Sequence, residues 1–432
     1  MMLNFMSHNL TLLKIILFIT FLIVKSSAYL SPSKVRLEDV SNYIWRGNVG
    51  FGTPNQTFKI QFAFNHDEFF VLGKNISIYG TGYVQKFDPS LSKTYKKEAK
   101  EFLWMYTLQY EGAKGPIGTD NISLGDSTES ARLEFGVNEI EVFKYFDQAD
   151  GILGLSPKCF DVCNMTLPVQ QILSQYKSQM FTFWSNRPPQ QDVSNGSALL
   201  TLGEIDKENC GDKWVYVPRN ETSNSYAFYV HSMTISGMTF DMKKRMARIT
   251  DTHGAPSMIM MSSDFIYYVL GQVGGYVKPA GFQSLFYAPC NASFPNITLK
   301  IGENGIDSVI LTKKDYVWEY ATDDLKSQCF LLFSEAKLDD ATSISNYYLN
   351  LGNNFMNNHC FSYDLQNDRI GFADSLPPKK REEKGASDVG TEATPVTGVY
   401  SDNSTPADSA PGYKNSHLIF IIATFVLFAL FL

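Results

Sequence analysis

Two short stretches bring proton-carrying side chains together in turn-like settings. Phe62 to Val71 reads FAFNHDEFFV and sets His66, Asp67 and Glu68 in a row, while Ile249 to Ser257 reads ITDTHGAPS and holds Asp251, Thr252 and His253. Imidazole and carboxyl groups are the side chains that most often move protons in catalysis. The first stretch follows FGTPNQTFKIQF, which alternates like a strand entering a buried site, yet that strand ends on Ala63 and the bulky Phe64. Neither has a proton to give or take. Six cysteines, Cys159, Cys163, Cys210, Cys290, Cys329 and Cys360, form a second reactive set. A zinc site is a poor reading of them, because no second closely spaced cysteine pair and no matching histidine pair accompanies Cys159 and Cys163. A third set consists of Asn-x-Ser/Thr glycan acceptors at Asn55, Asn75, Asn121, Asn164, Asn195, Asn220, Asn291, Asn296 and Asn403.

The elements that must position these groups are mostly short strands. TFKIQFAF, FLWMYTLQY, SALLTLG, KWVYVP, VILTKKDYVW and DRIGFA are rich in β-branched and aromatic residues and are separated by Gly, Asn, Asp and Pro. Helical patterns are few and brief, the clearest being LPVQQILSQY at Leu167 to Tyr176, so the class is mainly β. At 432 residues the chain has room for two lobes, placed at 29–208 and 209–375, each with its own core. A weak internal echo supports two halves: DGILGLS at Asp150 and LNLGNNF at Leu349 both set a Gly after apolar strand residues, each about a hundred residues beyond the Ala63 or Asp251 segment. A hydrophobic fraction of 44% with 19% charged residues is that of a folded globule. The net charge of −7 argues against nucleic acid as a partner, and the run KKREEK at Lys379 to Lys384 is diluted by its own glutamates.

Both ends carry targeting patterns. Lys14 precedes the apolar run Ile15 to Val24, with small residues Ser26 and Ala28 behind it, so residues 1–28 read as a cleaved signal peptide. Entry into the secretory pathway makes the cysteines disulfide partners, although counting does not separate the possible pairings. After a polar linker at 376–417, residues Leu418 to Leu432 are apolar to the end, with no basic stop. That pattern fits replacement of the tail by a lipid anchor at Asn403 or Asp408; a short single span is the competing reading. Either one places an extracellular, glycosylated ectodomain at the cell surface, attached to the membrane through its C-terminus.

The motifs, taken in order, resemble the pepsin-like aspartic proteases. FGTPNQTFKIQF looks like the strands leading into that family's first catalytic turn, and YEGAKGPIGTDNISLG like its flap, with Tyr110 as the flap tyrosine. ADGILGLS, LLTLGEID, ITDTHGAPS and FSYDLQNDRIGFA are similar to later signatures. The resemblance implies a bilobal β fold around a substrate cleft, a monomer, and no metal or organic cofactor. It implies a Cys290–Cys329 disulfide in the second lobe, leaving Cys159 with Cys163 to close a small loop and Cys210 with Cys360 to tie the lobe junction to the C-terminal strands.

It also marks a defect. The family uses two facing Asp-Thr-Gly-Ser/Thr turns whose carboxyls share a proton, because two such groups at close range cannot both ionise. Eleven residues beyond Gly52 the first catalytic position is Ala63, followed by Phe64, Asn65 and His66. Asn65 can tolerate the left-handed conformation that the missing glycine would adopt, which would let the loop keep its shape while losing its chemistry. Asp251 and Thr252 keep the second turn in part, with His253 in place of its glycine; a plain turn role for Asp251 stays open. His66, Asp67 and Glu68 read as an altered polar loop, Asp67 falling past the turn, with rescue of the lost acid by one of the three as the competing reading. Tyr110, Thr252, Phe64 and Phe70 are the expected cleft residues. The resulting expectation is an impaired or inactive homologue whose cleft binds an extended peptide or protein segment. An active endopeptidase using Asp251 in a non-standard dyad is the alternative, and a groove filled by Phe64, Phe69 and Phe70 is a third possibility.

Overall fold

The structure is a computed structural model that describes residues 29–39, 44–76, 85–106, 111–141, 149–160, 163–186, 197–250, 259–280, 283–318, 327–335 and 347–377. The expected signal peptide, linker and tail, the segment 251–258 with Asp251, Thr252 and His253, and Tyr110, Asn195 and Asn403 lie outside the described residues. Among the described residues no helix is long and apolar enough to cross a membrane.

The chain is mainly β. One large sheet begins with Val215–Pro218 and the C-terminal strands Arg369–Asp374 and His359–Asp364. It continues through Met180–Asn186 and Ser197–Leu202 into the strands of the first half. The C-terminal residues therefore close the first lobe's sheet as well as the second lobe. A seven-stranded and a four-stranded sheet make up the rest of the second half.

The two halves repeat one device. In the first, Gln56–Ala63 runs parallel to Gly151–Gly154 while Phe69–Leu72 runs antiparallel to it, so the turn between them faces a strand from late in that half. In the second, Met238–Ile249 runs parallel to Tyr347–Leu351 and Ile259–Met261 pairs antiparallel with it. The Leu155 N–H donates to the Ala63 carbonyl at 2.8 Å and the Thr250 N–H to the Leu351 carbonyl at 3.1 Å, so the echo seen in the sequence is a shared topology.

Two local expectations change. VILTKKDYVW is not one strand, because Thr312 and Asp315 form a capping box that turns Lys313–Tyr316 into a helical turn between Asp307–Leu311 and Val317–Trp318. The longest helix described is Ser263–Val273, which buries Phe265, Ile266, Val269, Leu270 and Val273 on one stripe and stops at Gly274 with φ of 64°. That spacing is visible in the sequence. LPVQQILSQY holds a shorter helix, Pro168–Leu173.

Candidate functional site: the turn between Ala63 and Phe69

The strand Gln56–Ala63 buries alternate residues and then both of its last two. Ala63 is 0% exposed. The next side chain, Phe64, is 3% exposed and packs its ring against Phe183 at 5.0 Å, Phe361 at 5.7 Å, Phe181 at 6.0 Å and Tyr226 at 6.3 Å. These partners come from three separate strands, Met180–Asn186, Tyr226–Ile235 and His359–Asp364. Phe64 is thus part of the core where the halves meet. Phe70 is fully buried and stacked on Phe102 at 5.6 Å. Both residues expected to line the cleft lie in packed interior, because aromatic burial outweighs any exposure the resemblance implied.

Asn65 belongs to the turn, but it is not among the non-glycine residues with positive φ, which are Ser236, Lys243, Lys244 and Asp368. The left-handed conformation that asparagine tolerates is not adopted here, and the turn follows another path. That path is held by main-chain bonds to the neighbouring strand, with the Gly154 N–H donating to the Glu68 carbonyl at 2.7 Å and the Ser156 N–H to the His66 carbonyl at 2.9 Å. A Cβ on Gly154 would lie 2.3 Å from the His66 carbonyl oxygen. Backbone cannot yield as a flexible side chain can, so Gly154→Ala is expected to destabilise the protein by about 3 kcal/mol, measured by urea unfolding; a loss within error of zero would show the turn to be loosely held.

Asp67 and Glu68 sit past the turn. Asp67 is 8% exposed, and its Oδ2 accepts the Phe160 N–H at 2.7 Å. Burial, and then the Glu68 charge and a side-chain hydrogen bond with Glu68, raise the Asp67 carboxyl to about 7. Burial pushes the Glu68 carboxyl up as well, against the opposing hydrogen bond from Asp67. His66 Nδ1 lies 3.9 Å from Glu68 Oε2. Each carboxyl is thus opposed in its ionisation, Asp67 by burial and by Glu68, a coupling that sequence adjacency alone does not reveal. Asp67 is aimed at the loop bearing Cys159 and Cys163, to which its oxygen is bonded through Phe160. The Cys163 Sγ is 3.8 Å from Asp67 Oδ2.

All three implied disulfides are present: Cys159–Cys163, Cys210–Cys360 and Cys290–Cys329. Asp67, Cys159 and Cys163 bring ligand atoms within 4.8 Å of one another, but sulfurs joined to each other are not thiolate ligands. Of the glycan acceptors, Asn55, Asn75, Asn164, Asn291 and Asn296 are exposed and Asn121 is half-buried. Asn220 is the correction: it is 8% exposed, and its Oδ1 accepts the backbone N–H and hydroxyl of Thr222, so the folded chain has no room for a glycan there. Asp150 of the DGILGLS motif is structural, its oxygens accepting the Lys59 N–H at 2.8 Å and the Gln85 N–H at 2.7 Å.

Comparison with known proteins matches residues 43–375 to the family described as eukaryotic aspartyl protease. Aspartic protease 17 of Caenorhabditis elegans is 26% identical over 82% of this chain and 89% of its own length. Cathepsin D of Dictyostelium discoideum is 26% identical over 81% and 88%. Pregnancy-associated glycoprotein 2 of Sus scrofa is 25% identical over 66% and 65%.

Proposed function

The chain belongs to the eukaryotic aspartyl protease family, and from that premise we propose that it is a cell-surface member that has lost peptide hydrolysis and keeps a cleft for extended peptide or protein segments. The observation that carries this is Ala63, a side chain without a proton, fully buried at the end of the strand that enters the turn. Phe64 behind it is locked into the junction core by four aromatic neighbours. The turn is therefore held in a shape built around apolar packing, with no carboxyl at its first catalytic position. The Asp67–Glu68 pair does not replace it, since both lie past the turn and Asp67 faces the loop of Cys159 and Cys163 instead of the end of the strand at Ala63. An extended segment would bind by adding a strand and filling alternate side-chain pockets. The apolar runs Ile15 to Val24 and Leu418 to Leu432 of the sequence support the reading of a membrane-held ectodomain.

The purified mature chain, incubated with haemoglobin at acid pH, is expected to show no pepstatin-sensitive cleavage, while an immobilised peptide library captures it. Pepstatin-sensitive cleavage abolished by Asp251→Asn would replace this reading with that of an endopeptidase using a non-standard dyad. Absence of both cleavage and peptide capture would favour a filled groove.

A further inference from the structure

We propose that the Cys159–Cys163 disulfide is a thiol–disulfide exchange site for a dithiol presented by an extended polypeptide, with Asp67 supplying the proton to the departing Cys163 sulfur. In the other two disulfides at least one sulfur is sealed from solvent: Cys210 and Cys360 are each at most 1% exposed, and half-buried Cys290 is joined to Cys329, which is 0% exposed. Cys159 and Cys163 are both half-buried, at a surface flanked by the exposed Lys158 and by Phe160, which is 44% exposed. Phe160 offers an apolar contact to an incoming chain, and the Lys158 ammonium, whose Nζ also donates to the Glu221 carbonyl at 3.1 Å, favours an approaching thiolate.

The side of the disulfide turned inward meets a carboxyl. Asp67 Oδ2 is 3.8 Å from Cys163 Sγ. The Phe160 N–H that bonds this oxygen belongs to the residue after Cys159, so the proton carrier and the reacting loop are fixed to each other. Among the described residues the ionisable groups beside Asp67 are Glu68, whose charge and side-chain hydrogen bond act on it, and His66 beyond Glu68. Residues 161 and 162 lie outside the described residues.

In the first exchange step a substrate thiolate attacks Cys159 Sγ; a new S–S bond forms, the Cys159–Cys163 bond breaks, and its electron pair goes to the Cys163 sulfur, which takes the Asp67 proton. The substrate's second thiol then loses its proton and attacks the substrate sulfur of the mixed disulfide, expelling Cys159 as a thiolate that takes up a proton. The substrate dithiol is oxidised by two electrons to a disulfide, and Cys159 and Cys163 are reduced to two thiols.

The test is limited reduction of the full-length protein by dithiothreitol, followed by differential alkylation and mass spectrometry of each cysteine. Comparing Cys159–Cys163 with Cys290–Cys329 in the same molecule cancels the thiolate fraction of the reductant. The expected ratio favours Cys159–Cys163, and Asp67→Asn lowers it about tenfold or more while leaving the Cys290–Cys329 rate and the near-ultraviolet circular dichroism unchanged. In the unmodified protein the ratio should fall as pH rises through about 7, where Asp67 loses its proton, and in Asp67→Asn it should be flat. A reduced dithiol peptide should be oxidised as Cys159 and Cys163 thiols appear in equal amount. The proposal is overturned if Cys159–Cys163 opens no faster than Cys290–Cys329, if Asp67→Asn leaves the ratio and its pH dependence untouched, or if the peptide stays reduced.

Discussion

Replacing Phe64 by alanine is expected to lower the unfolding free energy by about 4 kcal/mol, read as a shift of the denaturant midpoint at constant slope. The ring is 3% exposed and meets four aromatic neighbours at centroid distances from 5.0 to 6.3 Å. Those neighbours sit on three strands, held in register by pairings such as Phe183 with Phe361 and Phe181 with Tyr363. A void there cannot collapse without moving all three, so the cavity stays and its cost is added to the lost apolar transfer. A loss below about 1 kcal/mol would mean the junction repacks freely, which dense interiors resist.

The same packing resists the introduction of a carboxyl at residue 63. Ala63 is fully buried, so Ala63→Asp alone places a carboxyl in apolar surroundings beside Phe64, where ionisation is opposed by desolvation. That single substitution is expected to destabilise the fold and to yield no cleavage of haemoglobin. Exchanging Phe64 as well removes the ring that shapes the turn, at the stability cost just given. Gain of activity from Ala63→Asp alone would contradict the placement of this turn.

The second large effect is on the pH dependence of stability. Asp67 is raised in the folded chain from an ordinary value of 3.8 to about 7. A carboxyl raised on folding binds its proton more tightly in the native state, so its contribution is fully present below the unfolded value and is lost as pH rises through the folded one. The protein should therefore unfold at a higher temperature in mildly acidic buffer than in alkaline buffer, with the change falling between about pH 4 and 7. At 1.36 kcal/mol per unit, and allowing for water reaching the site, the span is about 2–4 kcal/mol. Glu68 and Asp150, both raised by burial, act in the same direction. Asp88, lowered to about 2 first by its hydrogen bond with Lys74, acts oppositely. So does Glu38, whose desolvation is outweighed by the hydrogen bonds and charges of Lys59 and Arg46. Comparing the protein with Asp67→Asn isolates the effect: the variant's stability should be flatter across that window. Parallel pH profiles for the two would remove Asp67 as the cause.

Much of the strand order was legible because alternation and turn residues act locally. TFKIQFAF alternates polar and apolar residues, and it folds as a strand ending at the expected Ala63. The Ser263–Val273 helix carries its apolar residues at helical spacing before a glycine stop, so it was available to the same reading. TKKDY failed as strand for an equally local reason, a side-chain cap across four residues. The site was less legible. Residue identity reveals that Ala63 carries no acid, yet nothing in FAFNHDEFFV says that Phe64 turns into the junction or that Asn65 avoids the left-handed region.

What the amino-acid sequence determined by itself is the presence or absence of chemistry at each position: no carboxyl at residue 63, an apolar ring at 64, cysteines in number and spacing. Those are properties of single side chains and survive any fold. Only the tertiary structure decided the environment of those groups, because burial and proximity arise between residues distant in the chain. Gly154 lets the turn lie against its strand, Phe160 brings its N–H to Asp67, and desolvation together with Glu68 then moves a surface-type acid to a neutral-pH one.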